Sequence, residues 1–480
     1  MKRMLATLYS MIIFSIVVSV FFLYRSSHPY SAHETSVSFP ALIFSLWLVA
    51  AAMWGRSFYV YRLAGLFDLS IERIIFLVVI VTLIAGLPAG SPSWRGRRSI
   101  ERLFFLFALI CVASMTIHGF GPSSSKYVSP WYIFISAYLF PFAAFLFAKR
   151  YLVAERDLSF VFHALFYLAV YLGIMAFFEF LDLRQYVYPR FINDPKVWLH
   201  LDRARGPFKN AALNGFTLII GFIRGVQLLS FKRGFARLLH LILMSVFFPA
   251  IFFTLTRSIY LCFLFTLGTL LFAYRTPFSK WKLLALPLAL AVIVAFMNLS
   301  RLASSERRAG GVYQVQEVLI REALLKRSAI MIADNPVFGV GLAQFIPASV
   351  AKYRGLVPVA ESFQETSQHH QLLTIAVELG LIGISVYLSI VVMFFRRVYS
   401  LFIGLPRTGF IDSNLALLIG ISLGVYILNN FFIDPSFQLF PNALFFTFGG
   451  LADGLYGQLE LMQTADEGAI PLGFSPSYGA

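Results

Sequence analysis

Apolar stretches long enough to cross a lipid bilayer recur along nearly the whole chain. Of its 480 residues, 59% are hydrophobic and 13% are charged, and the mean hydropathy is +0.77. An ordinary soluble domain is roughly half apolar and about a quarter charged, so a soluble fold could not bury this much Phe and Leu. A spanning helix needs ~20 mostly apolar residues. The sequence therefore predicts an all-α polytopic membrane protein.

Thirteen apolar stretches are candidates for spanning helices. The second, third and last are short for a span. Lys2 and Arg3 precede the first stretch, but Arg25 follows it in place of a small-residue cleavage site, so we interpret it as a retained helix and not as a signal peptide. In chain order the stretches are Leu5–Tyr24, Phe39–Trp54, Ile74–Leu87, Leu103–Phe120, Pro130–Ala148, Phe160–Leu181, Ala211–Leu229, Leu238–Leu255, Ser258–Ala273, Leu283–Leu299, Leu372–Phe395, Leu415–Phe432 and Ala443–Tyr456.

Basic residues in short loops predict the orientation of these helices, because Lys and Arg collect in cytoplasmic loops. Thirteen spans with a cytoplasmic C-terminus would put Lys2 and Arg3 outside. We therefore expect one early segment not to cross, which leaves about 12 transmembrane helices. Residues 182–210, the turn at 256–257 and residues 300–370 then lie on the outer face. The loops that alternate as cytoplasmic ones contain Lys149, Arg150 and Arg156; Lys232, Arg233 and Arg237; Arg275, Lys280 and Lys282; and Arg396 and Arg397.

The net charge of +16 fits basic loops beside anionic headgroups and does not by itself indicate nucleic-acid binding. Cys111 and Cys262 both lie inside apolar stretches, with neither a disulfide framework nor zinc spacing. The predicted order of parts is N-terminal transmembrane helices (1–200), central helices (201–299), a large, partly helical extracytoplasmic loop (300–370), C-terminal helices (371–460) and a disordered tail (461–480).

Two of the outer segments have unusual patterns. Asp182–Asn210 holds more basic than acidic residues on the side where the charge rule disfavours them, which suggests an anionic ligand, although translocated loops tolerate some basic residues. Val312–Asp334 is predicted to be an amphipathic helix that Asn335-Pro336 ends, with a tight turn after it at two glycines. Ile346–Gln368 has little pattern and is predicted to be a mobile lid.

Arginines on the outer face are candidate ligands for phosphate, because the planar guanidinium donates two parallel hydrogen bonds and stays charged. Arg203 and Arg205 lie with Asn210 where the chain re-enters the membrane. Arg257 lies between two apolar stretches with almost no loop. An arginine there is costly unless it is paired or lines a water-filled cavity, and the alternative is that it reaches the headgroups.

His369 and His370 precede an apolar stretch, where Thr366 or Ser367 is the predicted helix cap. A helix N-terminus favours a neutral imidazole, which can accept a proton. Paired histidines beside a membrane interface are nevertheless more often structural, and both interpretations stay open. A metal site is disfavoured, because adjacent helical histidines point ~100° apart and no carboxylate–histidine cluster completes a ligand shell.

Glu378 is out of phase with His369 on a continuous helix, so the two side chains should not face one site. We predict that Glu378 is a buried residue that hydrogen-bonds between helices. Gly380 and Gly383 are predicted to allow close helix packing.

These residues resemble the O-antigen ligase and polymerase superfamily of bacterial membrane glycan transferases, over roughly residues 200–455. His369 matches the family histidine, and His370 stands where an Asn is usual. The matching patterns are Arg205-Gly206-Pro207-Phe208 with Asn210 and Asn214; Thr256-Arg257-Ser258; Arg321 followed by Asn335-Pro336-Val337-Phe338-Gly339-Val340-Gly341; and His369-His370-Gln371-Leu372-Leu373 followed by Glu378 to Gly383.

The resemblance implies a class C glycosyltransferase-like fold and a transfer that needs neither a metal nor a cofactor. The donor would be an undecaprenyl-diphosphate-linked glycan, and the acceptor a sugar hydroxyl at the periplasmic face of the cell inner membrane. His369 would be the general base, and Arg205, Arg257 and Arg321 would bind the diphosphate. Arg203, His370 and Asn210 would complete the substrate site. A single displacement with inversion at the sugar follows.

The resemblance does not separate ligases, which act on a lipid A-core acceptor, from polymerases, which extend a growing O-antigen or exopolysaccharide. A gene neighbourhood with a flippase and a chain-length regulator would favour a polymerase. A membrane transporter of a small anion or sugar is the alternative from another class. Transporters usually show broken helices in two repeated halves. No such repeat is visible here, so the transferase is favoured.

Overall fold

In a computed structural model of the chain, the described residues are 37–54, 58, 61–63, 67–86, 98–121, 124, 127–194, 201–275, 289, 293, 296, 315–354, 368–436 and 438–468. Over these ranges the regular structure is helical, apart from one antiparallel hairpin of two short strands. The strands are β1 (Tyr61–Leu63) and β2 (Phe67–Leu69). The helices are α1 (Phe39–Met53), α2 (Ile71–Ala85), α3 (Ser99–His118), α4 (Pro130–Tyr151, with a π-helical turn at Phe134–Leu139), α5 (Glu155–Phe180), α6 (Ala211–Leu229), α7 (Gly234–Ser245), α8 (Phe247–Phe253), α9 (Arg257–Ala273), α10 (Val315–Asp334), α11 (Phe345–Lys352), α12 (Gln371–Gly404), α13 (Ser413–Asn430) and α14 (Leu439–Gly468).

Each predicted apolar stretch that falls on described residues coincides with a helix. Leu5–Tyr24 and most of Leu283–Leu299 lie outside the described residues. In the part of the chain that the structure describes, seven helices are long and apolar enough to cross a membrane: α3, α4, α5, α6, α7 together with α8, α12 and α13. Helices α1 and α9 are apolar but shorter. The protein is thus a multi-pass helical membrane protein, while a total of about 12 spans stays a prediction.

Aromatic rings fill the centre of the helix bundle. The ring of Phe104 on α3 stacks on that of Phe142 on α4, with centroids 4.2 Å apart. Phe145 stacks on Phe394 of α12 at 5.7 Å, and Phe446 of α14 meets Phe142 edge-on at 5.1 Å. Such ring pairs add about 0.5–1.5 kcal/mol each beyond the area they bury. Helices α3, α4, α12 and α14 are therefore joined in one rigid core.

A buried ionic cluster joins the same four helices near one end. Asp453 on α14 lies 2.7 Å from the Lys149 ammonium and accepts a hydrogen bond from Arg397 Nε at 2.8 Å. Lys149 also pairs with Glu101. The sequence predicted that Lys149 and Arg397 lie in cytoplasmic loops, and the cluster shows that they lie at the same level of the bundle.

Arg224 lies within α6. The sequence reasoning overlooked this charged residue because the stretch around it is apolar enough to predict a spanning helix without it. Arg224 is fully buried. Its Nη2 donates to Leu418 O at 2.9 Å and to Ser422 Oγ at 2.8 Å on α13. Its guanidinium also lies over the Phe162 ring at 4.5 Å. Arg224 therefore joins α5, α6 and α13.

Several boundaries differ from those expected. Helix α10 ends at Asp334 as predicted, but its buried face holds Arg327 and Met331, while Leu325 is 49% exposed. Residues 345–352 form helix α11, although no pattern predicted a helix there. Helix α14 continues to Gly468, past residue 461, where a disordered tail was expected to begin.

Candidate functional site

The segment after α10 docks into a break in α12. Helix α12 is interrupted at Gly380, whose φ of 67° and ψ of −170° are not helical. The Leu381 N–H donates to Pro336 O at 2.8 Å, where a helix would use a carbonyl of its own. In the other direction, the N–H groups of Val340 and Gly341 donate to Val377 O and Glu378 O, both at 2.9 Å. We call this reciprocal set of backbone bonds the interlock.

Glycine is required on both sides of the interlock. A Cβ added at Gly380 would lie 2.2 Å from Val337 O, and one added at Gly339 would lie 2.5 Å from Glu378 O. The Gly339 φ of 70° also favours glycine. The tight turn predicted after α10 is therefore present. Gly380, however, breaks a helix where the sequence predicted close packing of helices.

Glu378 is buried, as predicted, and is 7% exposed. Its Oε1 accepts a hydrogen bond from the Phe345 N–H at 3.2 Å, at the start of α11. The hydrogen bond between helices that the sequence predicted for Glu378 is therefore present, and its partner is the short helix α11. Glu378 holds α11 against α12 beside the interlock.

The loop between α13 and α14, residues 431–438, connects the predicted site residues. The Phe431 ring meets the His370 ring edge-on at a centroid distance of 4.9 Å. The Arg321 guanidinium lies 5.8 Å from the Phe432 ring centroid, within cation–π range. The 431–438 loop thus brings α10 and the start of α12 to one place.

Asp434 fixes this loop to α12. Its carboxylate accepts from Thr374 Oγ1 at 3.0 Å and from the Ser436 N–H at 3.0 Å, and the Ser436 hydroxyl also donates to it. Burial raises the pKa of Asp434 above its ordinary value of 3.8, and the hydrogen bonds from Ser436 and Thr374 oppose that rise. Sequence reasoning missed this loop. The amides Asn429 and Asn430 with Asp434-Pro435-Ser436, directly after an apolar stretch, were the available signal.

The two histidines occupy different positions. His370 is the N-cap of α12, and its Nδ1 accepts from the Leu373 N–H at 3.2 Å. The predicted caps, Thr366 and Ser367, lie outside the described residues. Burial lowers the pKa of His370 below 6.5, which keeps the ring neutral, as an accepting Nδ1 requires. His369 is exposed just before the helix. The more exposed of the two imidazoles is therefore that of His369.

Arg205 is a buried arginine that binds the chain's own backbone. Its Nε donates to Ile192 O at 3.0 Å and its Nη2 donates to Asp194 O at 3.2 Å. The side chain is 0% exposed. The N–H groups of Arg205 and Gly206 both donate to the Glu179 carboxylate, at 3.0 and 3.1 Å. Arg205 and Glu179 therefore hold the segment before α6 in place, where the sequence had predicted an arginine that contacts the ligand.

The neighbouring turn packs on the turn that carries Arg257. Arg203 is 6% exposed, and its Nη1 donates to Leu255 O at 3.4 Å. Asn210 is the N-cap of α6 and accepts from the Ala212 N–H at 2.9 Å. Arg257 is exposed as the first residue of α9. Of the predicted arginines, Arg257 and Arg321 are thus exposed, whereas Arg203 and Arg205 are buried.

The links between these turns reach the 431–438 loop. The Ser258 hydroxyl, next to Arg257, donates to Asn429 Oδ1 at 3.3 Å, just before that loop.

Over the described residues, no group of three or more His, Cys, Asp or Glu side chains has the arrangement of a metal site. Metal independence of the reaction stays a prediction.

A comparison with protein families matches residues 240–388 to the O-antigen ligase family. The match covers less than half of the chain and supports a relationship of this region to the O-antigen ligase and polymerase superfamily. The matched region contains Arg257, Arg321, His369 and the whole interlock, and it ends before the 431–438 loop. No curated protein matches the chain significantly. The family and the apolar helices together support a membrane role as a glycan ligase or polymerase.

Proposed function

We propose that this protein is a glycosyltransferase that moves glycan from undecaprenyl diphosphate to a sugar hydroxyl at the outer face of the cell inner membrane. The convergence of Arg321 and the start of α12 on the 431–438 loop carries this proposal, together with the ligase family match. The acceptor is the lipid A-core in a ligase or a growing polysaccharide in a polymerase. A flippase and a chain-length regulator would accompany a polymerase.

His369 is the proposed general base. It takes the proton from the acceptor hydroxyl as that oxygen attacks the anomeric carbon. The bond from the anomeric carbon to the diphosphate breaks in the same displacement, so the lipid diphosphate leaves with the electron pair and the sugar is inverted. The exposed position of His369 beside the capped start of α12 supports this role, because the base must reach an incoming substrate.

Arg257 and Arg321 are the proposed contacts of the diphosphate. Both are exposed, and a guanidinium can pair with phosphate oxygens and stabilise the charge that grows on the leaving group. Arg203 and Arg205 are proposed to act indirectly, by holding the turns before α6 and α9. With two arginines in this role, the reaction is proposed to need no metal, and full activity in the presence of a chelator is the expected result.

The test is complementation of a deletion strain with wild type, His369→Ala, Arg257→Ala and Arg321→Ala, at matched membrane levels. Lys326→Ala is the control for charge loss on α10, because Lys326 is exposed and pairs only weakly with Glu322. His370→Asn keeps the helix cap and tests separately whether the His370 ring contacts the substrate, as the resemblance implies. Envelope glycans are then separated by size.

Loss of high-mass glycan in the three variants, with normal glycan in Lys326→Ala, would support the transferase. Long chains that stay on the lipid carrier would indicate a ligase, and single repeats a polymerase. Normal glycan in His369→Ala would remove the general base and favour transport of a small anion or sugar instead.

A further inference from the structure

A cavity of about 100 Å³ lies where α11, α12 and the 431–438 loop meet. It adjoins the interlock, since Glu378 is part of its wall. Apolar side chains on two sides come from Ile133, Ile346 and Pro347. The polar wall consists of Gln368, Thr374, Glu378, Asp434 and Ser436.

The polar wall offers acceptors and no cation. Glu378 and Asp434 both line the cavity, and no Lys, Arg or His side chain of the described residues does. The hydrogen bonds of Phe345 to Glu378 and of Thr374 to Asp434 fix both carboxyl groups in place. A cavity of this kind disfavours a diphosphate, because among the described residues no cation lines it to balance the charge of a buried anion. Hydroxyl groups, which can donate to carboxyl oxygens, are the matching ligands.

Gln368 supplies an independent indication of a ligand. The residue is 2% exposed, and its Oε1 has no hydrogen-bond partner among the described residues. A buried acceptor without a donor costs about 1–3 kcal/mol, so such atoms need an explanation. The atom belongs to the wall of the cavity, and Gln368 directly precedes His369 in the chain.

We propose that this cavity is the acceptor subsite, where the hydroxyl-bearing edge of one uncharged sugar ring donates to Gln368, Glu378 and Asp434. The inference rests on the proposed glycan transfer. An engineered cavity of roughly 150 Å³ holds benzene, so this smaller one admits an edge of a sugar ring and not a whole ring. The apolar wall suits the C–H face of that ring. The adjacent His369 then meets the one hydroxyl that attacks.

The experiment measures glycan transfer by the purified full chain in detergent, with both substrates varied. The donor is the host's lipid-linked glycan. The acceptor probes are the lipid A-core fraction and the lipid-linked single-repeat fraction from the deletion strain. Gln368→Leu removes the acceptor atom, and Gln368→Glu, its matched control, keeps a carbonyl oxygen in the same place. Gln368→Leu should raise the KM for the acceptor about 5-fold, as the loss of one hydrogen bond predicts, and should leave the KM for the donor unchanged.

Each outcome bears on one of the two proposals. If the wild type transfers no glycan to either probe, the transferase proposal falls, and the acceptor subsite falls with it. If transfer proceeds but Gln368→Leu leaves the acceptor KM unchanged, or raises the donor KM instead, only the acceptor subsite is overturned. Should Gln368→Leu fail to reach the membrane, Gln368→Met takes its place, because it also removes the acceptor atom and keeps the length of the side chain; the expected rise in acceptor KM and the refuting result are the same.

Discussion

Replacing Gly380 by alanine should open the interlock. The φ of 67° and ψ of −170° belong to a region that is essentially restricted to glycine, and holding another residue there costs about 1–3 kcal/mol. The added Cβ would also lie 2.2 Å from Val337 O, a backbone atom that cannot move aside cheaply. We take the combined cost as about 3 kcal/mol. Opening relieves this strain, so the open state should become about 100-fold more populated.

Hydrogen exchange measures that population directly, because an amide bonded in the interlock exchanges only when it opens. Peptides that contain the N–H groups of Val340, Gly341 and Leu381 should exchange about 100-fold faster in Gly380→Ala than in wild type. Gly268→Ala is the matched control. It lies in α9, where an added Cβ meets nothing within 4 Å, so the same peptides should be unaffected. Exchange in Gly380→Ala within about threefold of wild type would refute the reasoning, since that is less than 1 kcal/mol.

Three further predictions concern stability, measured as Tm from labelling of the buried thiols Cys111 and Cys262. Lys149→Met should lower stability by on the order of 1–3 kcal/mol, because it removes the cation shared by the buried Asp453 and the partly buried Glu101, while Arg397 still pairs with Asp453; an unchanged Tm would contradict this. Arg224→Met should change stability by less than about 1 kcal/mol, because its acceptors Leu418 O and Ser422 Oγ also bond to each other within α13; a large loss would show that the cation itself is needed. His370→Ala should cost about 1 kcal/mol through the lost cap, whereas His370→Asn should cost little. Because folding lowers the pKa of His370, the stability that its neutral ring contributes is present above pH 6.5 and is lost as the pH falls below it. If Tm falls equally with pH in His370→Asn, His370 is not the source of this loss of stability.

The sequence predicted the helices well because a bilayer forces long apolar stretches to satisfy their backbone bonds within one helix. Ala211–Leu229 was placed to the residue, and so was the end at Asp334 of the helix predicted over Val312–Asp334, whose predicted start lies outside the described residues. The break at Gly380 could not be predicted, since the apolar pattern runs straight through it and the backbone partner that makes it possible comes from Pro336. Helix α11 was missed for a related reason, because it is only eight residues long and its apolar partners, Met331 and Val377, come from other helices.

The site was predicted by residue type more reliably than by role. Arginines on the predicted outer face suggested an anionic ligand. The Arg205 guanidinium, however, donates hydrogen bonds to the carbonyls of Ile192 and Asp194. Whether a guanidinium faces a ligand or its own backbone depends on how distant segments fold together, which a single sequence does not reveal. The 431–438 loop was overlooked because short connections between spans carry little pattern of their own.

The interlock explains how residues far apart in the chain can form one site. Helix α10 carries Arg321 and ends where Pro336 begins the segment that docks into α12, and α12 begins next to His369. Backbone atoms make the docking bonds, and glycines permit the close approach. The backbone docking thus helps to fix the positions of Arg321 and His369 relative to each other. It follows that a substitution at Gly339 should reduce transfer by displacing α10 from α12, even though Gly339 touches no substrate in the proposed reaction.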